Sequence, residues 1–292
     1  MVGFKKSPKS GADLGSFPDT AALRHLASQK EQGFDPGLLS RAQQLIYDAW
    51  EHPDRRQRIA LARQALSLSP FCADAWLLLA TLRSLADDVR REMLERAVLA
   101  AELAIGERAF NANRGSFWAV LETRSYMRAR YALAEHLWYA GDQPHAIAHL
   151  RDMLILNPND NQGLRYQLLA WLLWVEDDRG AEQLLRDLRD ESSTFLDYTR
   201  ALMVFRKEGD SNAGRIVVRR ALESNAHVPK LLASGRTSHA MPEFYRPGGE
   251  DEARYYASQY GFAWERTVGA TRWLVDVATN LELGREAGST VH

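Results

Sequence analysis

The chain has 292 residues, 46% of them hydrophobic and 26% charged, which is ordinary for a folded protein. A formal charge of -1 argues against nucleic-acid binding by counterion release, which needs a clustered basic surface. The single cysteine, Cys72, rules out an internal disulfide and a Cys-rich zinc site, and fits a reducing compartment. Residues Met1 to about Pro36 are rich in Gly, Ser, Pro and Lys, and read as a flexible or loosely docked leader with one weak helical patch, Thr20–Lys30. No apolar run follows Lys5 and Lys6, so the stretch is not a secretory signal. Ser40–Trp50 and Arg55–Pro70 then read as a helical pair with a proline stop. Ala73–Ala86 and Arg91–Ile105 read as the next. A loop is predicted at Asn111–Gly115. Ser116 is read as the cap of a long helix that holds Phe117 and Trp118 in its first turn and runs to Ala140.

From there the chain superimposes on itself at a shift of about 34 residues, the period of tetratricopeptide hairpins. Leu137, Trp171 and Phe205 fall in one column, and Leu150, Leu184 and Val218 in a second. Leu154, Leu188 and Leu222 make a third, with Asp142, Glu176 and Asp210 at the turn. Gly141 and Gly209 stand where a first helix ends and a left-handed residue is wanted. The most apolar run, Leu168–Val175, is too short to span a bilayer, so no membrane segment is expected. After Pro229 the pattern weakens. Leu231–Pro242 reads as irregular, Tyr245–Gly249 as a turn and Glu250–Tyr260 as a helix. Phe262–Leu283 reads as a capping helix with Trp264, Val268, Trp273, Val277 and Leu281 on its apolar face.

The expected fold is all-α: a tetratricopeptide-like α-solenoid of stacked helical hairpins over residues 37–283 with a C-terminal helical cap. Residues 1–36 form the leader and 284–292 a tail. The run FWAVLETRSYMRARYALAEHLWYAGD, with HAIAHLRDMLILNPNDNQGLRY after it, resembles bacterial tetratricopeptide-repeat proteins. RALESNAHVPKLL and PGGEDEARYYASQYGFAWERTVGATRWL resemble the C-terminal half of the suppressor-of-tumorigenicity-7 family, as does the earlier ARQALSLSPFCADAWLLLA. The likeness runs from Ala60 to Leu274. It implies architecture rather than an activity, and the hydrophobic membrane segments of the family's animal members have no counterpart here.

Candidate ligand residues come from one helical face and the polar restart after Pro158. Arg124, Arg128, Tyr131 and Glu135 recur at three- and four-residue steps. Asn161, Gln162 and Arg165 open the next helix, and Arg206 lies near the end of a later one. Guanidinium groups beside amides suit a carboxylate, a phosphate or an acidic peptide. The bland account of Arg128, Glu135 and Arg165 is ion pairing between neighbouring helices. His145 and His149 share the i, i+4 spacing of a zinc site, with His136 as a loose third ligand and no Glu after the first His. With the further ligands missing, two partly exposed helix histidines without a metal account for them better. Cys72 has no nucleophile signature around it, and no phosphate loop occurs. The tryptophans Trp118, Trp138, Trp171, Trp174, Trp264 and Trp273 fit inter-helix packing better than base stacking.

The expectation is a cytoplasmic, non-enzymatic adaptor without a cofactor. It would bind a protein or peptide, an acidic one among the candidates, in a concave groove, with no nucleic acid and no membrane as partner. The alternative is a groove-based enzyme or metal-dependent regulator built on His145, His149 or Cys72. RNA reading by helical repeats would need one base-reading residue per period, but Arg128 steps to Gln162 and then to Leu196.

Overall fold

In the computed structural model, residues 17–29, 34–235 and 244–289 are described, the last eight of these by their backbone alone. Among the described residues the regular structure is entirely helical, as expected. The chain divides into two compact units, Met1–Leu164 and Arg165–His292.

In the first unit each helix has a local cause. Asp19 caps α1 (Thr20–Ser28) by accepting from the amide of Ala22 at 2.8 Å. Asp35 caps α2 (Pro36–Glu51) through the amides of Gly37 and Leu38, with Pro36 at the first helical position, where its missing N–H is harmless. Asp54 caps α3 (Arg55–Leu68), which stops before Ser69-Pro70. Then come α4 (Ala73–Ala80) and α5 (Asp87–Ile105), with Gly106 ending α5 at φ +72°. Sequential neighbours pack on one another: α2 on α3, α3 on α4, α4 on α5. The core they share includes Ile46, Leu66, Trp76, Leu79 and Met93. The Trp76 indole N–H is satisfied by the carbonyl of Pro70 at 2.9 Å. The helical patch expected at Thr20–Lys30 corresponds to α1. It packs on α5, and its Leu23 is fully buried in a cluster with Phe71 and Leu99. Residues 1–16 and 30–33 of the predicted leader lie outside the described residues, as do 290–292 of the predicted tail.

The predicted long helix from Ser116 is corrected. A short helix, α6 (Glu107–Ala112), occupies the start of the predicted loop, and a 3-10 turn spans Leu121–Thr123. Only then does α7 (Arg124–Tyr139) begin. The reason lies in who takes the carbonyls. Thr123 Oγ1 donates to the carbonyls of Phe117 and Val120, and Arg124 Nε donates to that of Trp118 at 2.8 Å. The amides of Gly115 and Phe117 both donate to the Leu156 carbonyl, at the end of α8 (Gln143–Leu156). With Phe117 fully buried, this strap is held by distant backbone and cannot wind into a helix. α7 packs on α4, α5 and α8.

The second unit holds most of α9 (Leu164–Trp174), then α10 (Asp178–Asp187), α11 (Thr194–Glu208), α12 (Asn212–Ser224), α13 (Val228–Ala233), α14 (Glu250–Arg266) and α15 (Ala270–Ser289). The columns found by self-superposition fall on like elements: α7, α9 and α11 hold the first, while α8, α10 and α12 hold the second. Phe195 anchors an aromatic cluster, its ring within 6.0 Å of those of Tyr166, Tyr255, Tyr256 and Tyr260. Burial pushes the Tyr256 and Tyr260 phenols well up. Buried Glu252 collects Thr194 Oγ1 at 2.7 Å, the Gly248 amide at 2.7 Å and Asn225 Nδ2 at 3.2 Å, pinning the turn before α14. Two further expectations are corrected here. Val228–Ala233 is helical where irregular chain was predicted from Leu231, and 236–243 lie outside the described residues. The capping segment is not one helix from Phe262. α14 runs to Arg266, the chain breaks at Thr267–Gly269 with Gly269 at φ +82°, and Val268 is 94% exposed. Thr267 closes α14 with an extended backbone (φ −93°, ψ 102°), its amide donating to the Trp264 carbonyl. Trp264, Trp273 and Val277 are buried as predicted.

Two residues beyond the ends of α7 and α9 the backbone turns left-handed, at Gly141 (φ +87°) and at Glu176 (φ +59°). Glycine adopts this conformation without strain, whereas glutamate pays about 1 kcal/mol. Glu176→Gly should therefore raise stability by roughly 0.5–1 kcal/mol in denaturant unfolding, an increment reduced only by glycine's greater unfolded-state freedom.

Candidate functional site

A partly enclosed cavity of the first unit lies between α2 and α7, has a volume of about 500 Å³, and is walled by four stretches of chain. α2 contributes Leu39, Gln43 and Tyr47, one face at four-residue steps. The 3-10 turn and first turns of α7 contribute Leu121, Glu122, Ser125 and Arg128. Phe34 and Phe71 are also in the wall, with Ala104 and Ile105 from the end of α5. Beside Tyr47, whose ring lies 5.6 Å from its own, stands Trp50. Tyr47, Trp50 and Leu121 are 38%, 42% and 62% exposed, a high figure for side chains of this size.

Behind the wall sits Asp74, in the first turn of α4 with no solvent exposure. Its carboxylate accepts two hydrogen bonds from Arg128, Nε at 2.9 Å and Nη2 at 2.6 Å, and a third from Gln43 Nε2 at 2.9 Å. The guanidinium also lies over the Trp50 ring at 5.4 Å. Burial works against the Arg128 charge, yet the bonds to Asp74 outweigh it and raise its pKa above the usual value. Arg128 is thus a fork-on-carboxylate clamp whose charge is already balanced.

Of the eight predicted ligand residues, Arg128 alone belongs to this wall. Arg124, one turn earlier, is folded onto Trp118, donating to its carbonyl with the ring at 5.7 Å. The Tyr131 hydroxyl donates to Glu135 at 3.1 Å, so these two pair along their own helix. Asn161 accepts from Asn157 Nδ2 at 3.3 Å, and Gln162 keeps a buried Oε1 without an acceptor's partner. In the second unit Arg165 pairs with Glu191. Arg206 pairs with Asp178 and donates to Thr267 Oγ1 at 3.0 Å. The ion-pair account given for Arg128 and Arg165 therefore describes their contacts. Gln43, Tyr47, Trp50, Glu122 and Ser125 escaped the sequence reading. The apolar stripe of α2 was a signal for the first three, while the misread start of α7 hid the last two.

Of the chemistry-bearing residues, Cys72 lies directly behind the cavity wall, its thiol 3.9 Å from Gln43 Oε1, and the histidines sit elsewhere. Cys72 is buried, and desolvation pushes its thiol up to about 12, so it stays protonated and unreactive near neutrality. His145 pairs with Asp142 at 2.6 Å. His149 Nδ1 instead accepts from Arg130 Nε at 3.1 Å, and Arg130 also holds Tyr126 and Asp152. Among the described residues no group of three or more His, Cys, Asp or Glu could hold a metal ion. No described helix is long and apolar enough to cross a membrane.

The chain is similar to proteins named Protein ST7 homolog: 28% identical over 269 residues to that of Caenorhabditis elegans, covering 79% of this chain and 49% of the relative. It is 25% identical over 262 residues to that of Drosophila melanogaster, covering 79% and 47%. It is also 26% identical over 294 residues to the Suppressor of tumorigenicity 7 protein-like of Gallus gallus, covering 89% and 51%. The chain spans about half the length of the curated relatives it matches. No family model matches it.

Two outcomes follow from these contacts. Arg128→Ala leaves the Asp74 carboxylate buried and unpaired and should cost about 3–5 kcal/mol in denaturant unfolding, whereas Asp74→Ala in the same chain should restore much of that loss. Burial, and then the Arg130 charge, lowers the His149 pKa from 6.5 to about 4. The unfolded imidazole therefore binds a proton between those values while the folded one does not. Stability should be complete above about pH 6.5 and fall as pH drops toward 4. His149→Gln should flatten that part of the pH–stability profile.

Proposed function

We propose that this chain, similar over most of its length to the ST7 proteins, is a protein-interaction module. Its first unit holds an apolar segment of a partner protein in the cavity between α2 and α7. The observation that carries the reading is the cavity itself: about 500 Å³, largely apolar, and bordered by the exposed side chains of Tyr47, Trp50 and Leu121. That volume falls within the range of about 300–1,000 Å³ typical of ligand sites and admits two or three side chains. Exposed aromatic residues around a concave apolar surface are the composition of binding hot spots.

The helix pairs that recur at one period support a tetratricopeptide-like α-solenoid, a fold that presents successive helices as a binding wall. The ST7 likeness supports shared architecture across the matched region, and the relatives' names specify no ligand or reaction. We read the module as a cytoplasmic adaptor rather than an enzyme. In this reading Arg128 shapes the groove instead of supplying charge to an acidic partner, because Asp74 already balances it.

The test is a peptide-display selection against the whole chain, with Ser125→Trp as the control that fills the cavity. Enriched peptides should bind the native chain and lose at least about tenfold in affinity to Ser125→Trp, with helical circular dichroism unchanged. Peptides that bind both proteins equally would place recognition outside the groove and overturn the reading. Arg128→Ala is a poor probe here, since it disturbs folding through Asp74.

A further inference from the structure

The groove between α2 and α7 has two charged side chains in its wall among the described residues, Glu122 and Arg128. Arg128 is neutralised by Asp74. Glu122 is exposed and has no ion pair among the described residues. The site therefore combines an apolar and uncharged polar wall with one uncompensated negative charge, and two aromatic rings, Tyr47 and Trp50, stand at its border. Such a surface favours an apolar side chain followed by a cation, which Glu122 attracts by charge and the ring faces by their quadrupoles.

The chain carries such a sequence itself. Val2-Gly3-Phe4-Lys5-Lys6 lies in the stretch 1–16, outside the described residues. That stretch joins the first unit at Phe17, whose ring packs edge-on against Trp76 at 5.8 Å. From Phe17, α1 runs along α5, and the hydrophobic cluster it enters includes Phe34, Phe71, Leu39 and Ala104, all residues of the groove wall. A helix of 9 residues covers only about 14 Å. The 13 residues from Phe4 to Phe17 can extend roughly 40 Å, so the tether is long enough to return past α1 to the groove.

We propose that residues 2–6 dock in this groove as an internal occupant, with Phe4 against Phe71 and Leu39 and with Lys5 or Lys6 at Glu122. The inference rests on the groove being a peptide site, as argued above, and adds that the preferred segment is hydrophobic and basic. A tethered segment acts at an effective concentration of order millimolar, so weak docking suffices to compete with a partner.

Two measurements on the full chain test it. The first is zero-length carbodiimide cross-linking of an equal mixture of ¹⁴N- and ¹⁵N-labelled protein, read by mass spectrometry. The expected product joins Lys5 or Lys6 to Glu122 within one label and disappears in Phe4→Ala. Absence of that product, or a product that mixes labels and so joins two copies, overturns the proposal. The second is titration of a fluorescein-labelled peptide of residues 2–9 into the native chain, Phe4→Ala and Ser125→Trp. Removing the internal competitor should tighten binding to Phe4→Ala by about tenfold, the equivalent of losing one buried aromatic anchor. Equal affinity for the native chain and Phe4→Ala, with binding lost in Ser125→Trp, overturns internal docking and leaves the groove as a peptide site. Binding that survives Ser125→Trp overturns both.

Discussion

Asp74 is a carboxylate without solvent contact, and a bare charge in that position would be prohibitive. Three donors from two other helices converge on it: Arg128 Nε and Nη2 from α7, and Gln43 Nε2 from α2. The first turn of α4 adds the favourable end of its dipole. This one group therefore registers α2, α4 and α7 against each other. The space between α2 and α7 exists at its observed width because the two helices are tied to a common point rather than packed flush. A buried ion pair of this kind is weak evidence for net stability, but it is strong on geometry, since any displacement leaves charge unpaired.

The clamp also sets the electrostatics of the groove. A guanidinium that looks like an anion receptor in isolation has its charge cancelled within the fold, and its plane is occupied by Trp50. What remains is a wall of apolar side chains and the uncharged polar Ser40, Gln43, Gln44 and Ser125, with a single carboxylate, Glu122. Recognition there would depend on shape and buried apolar surface, the terms that dominate most protein association. The second unit repeats the principle at another place. Buried Asp197 accepts from Ser192 and Arg200 and pairs with Arg220, while Glu252 gathers Thr194, Asn225 and the Gly248 amide. In each case an acidic group at a helix start fixes a neighbouring segment.

Much of the helical order was legible beforehand. Asp35, Asp54, Pro70, Gly141 and Pro158 punctuate the chain by local rules, and the column Leu137, Trp171 and Phe205 does fall on three like helices. Two boundaries differ from a local reading. At 117–123 a threonine hydroxyl and distant backbone hold the strap, while at 267–269 the chain turns extended and then left-handed at Gly269. Around Phe117 the competing partner is Leu156, far along the chain and invisible to any window of local periodicity. The candidate site suffered similarly. Arg128 was chosen for its spacing with Arg124, Tyr131 and Glu135, yet Arg124 folds onto Trp118 and the other two bond each other. The α2 residues that share the groove with Arg128 read only as one member of a helical pair.

The sequence by itself determined that the chain is helical, where most helices form and which faces turn inward. Those properties follow from backbone preference and the 3.6-residue turn, which act between residues a few positions apart. Tertiary structure alone decided that Arg128 meets Asp74, 54 positions away, and so whether its charge faces a ligand or a buried partner. Coulomb attraction and desolvation depend on separation in space, so the groove that opened beside that pair became visible only once the helices were packed.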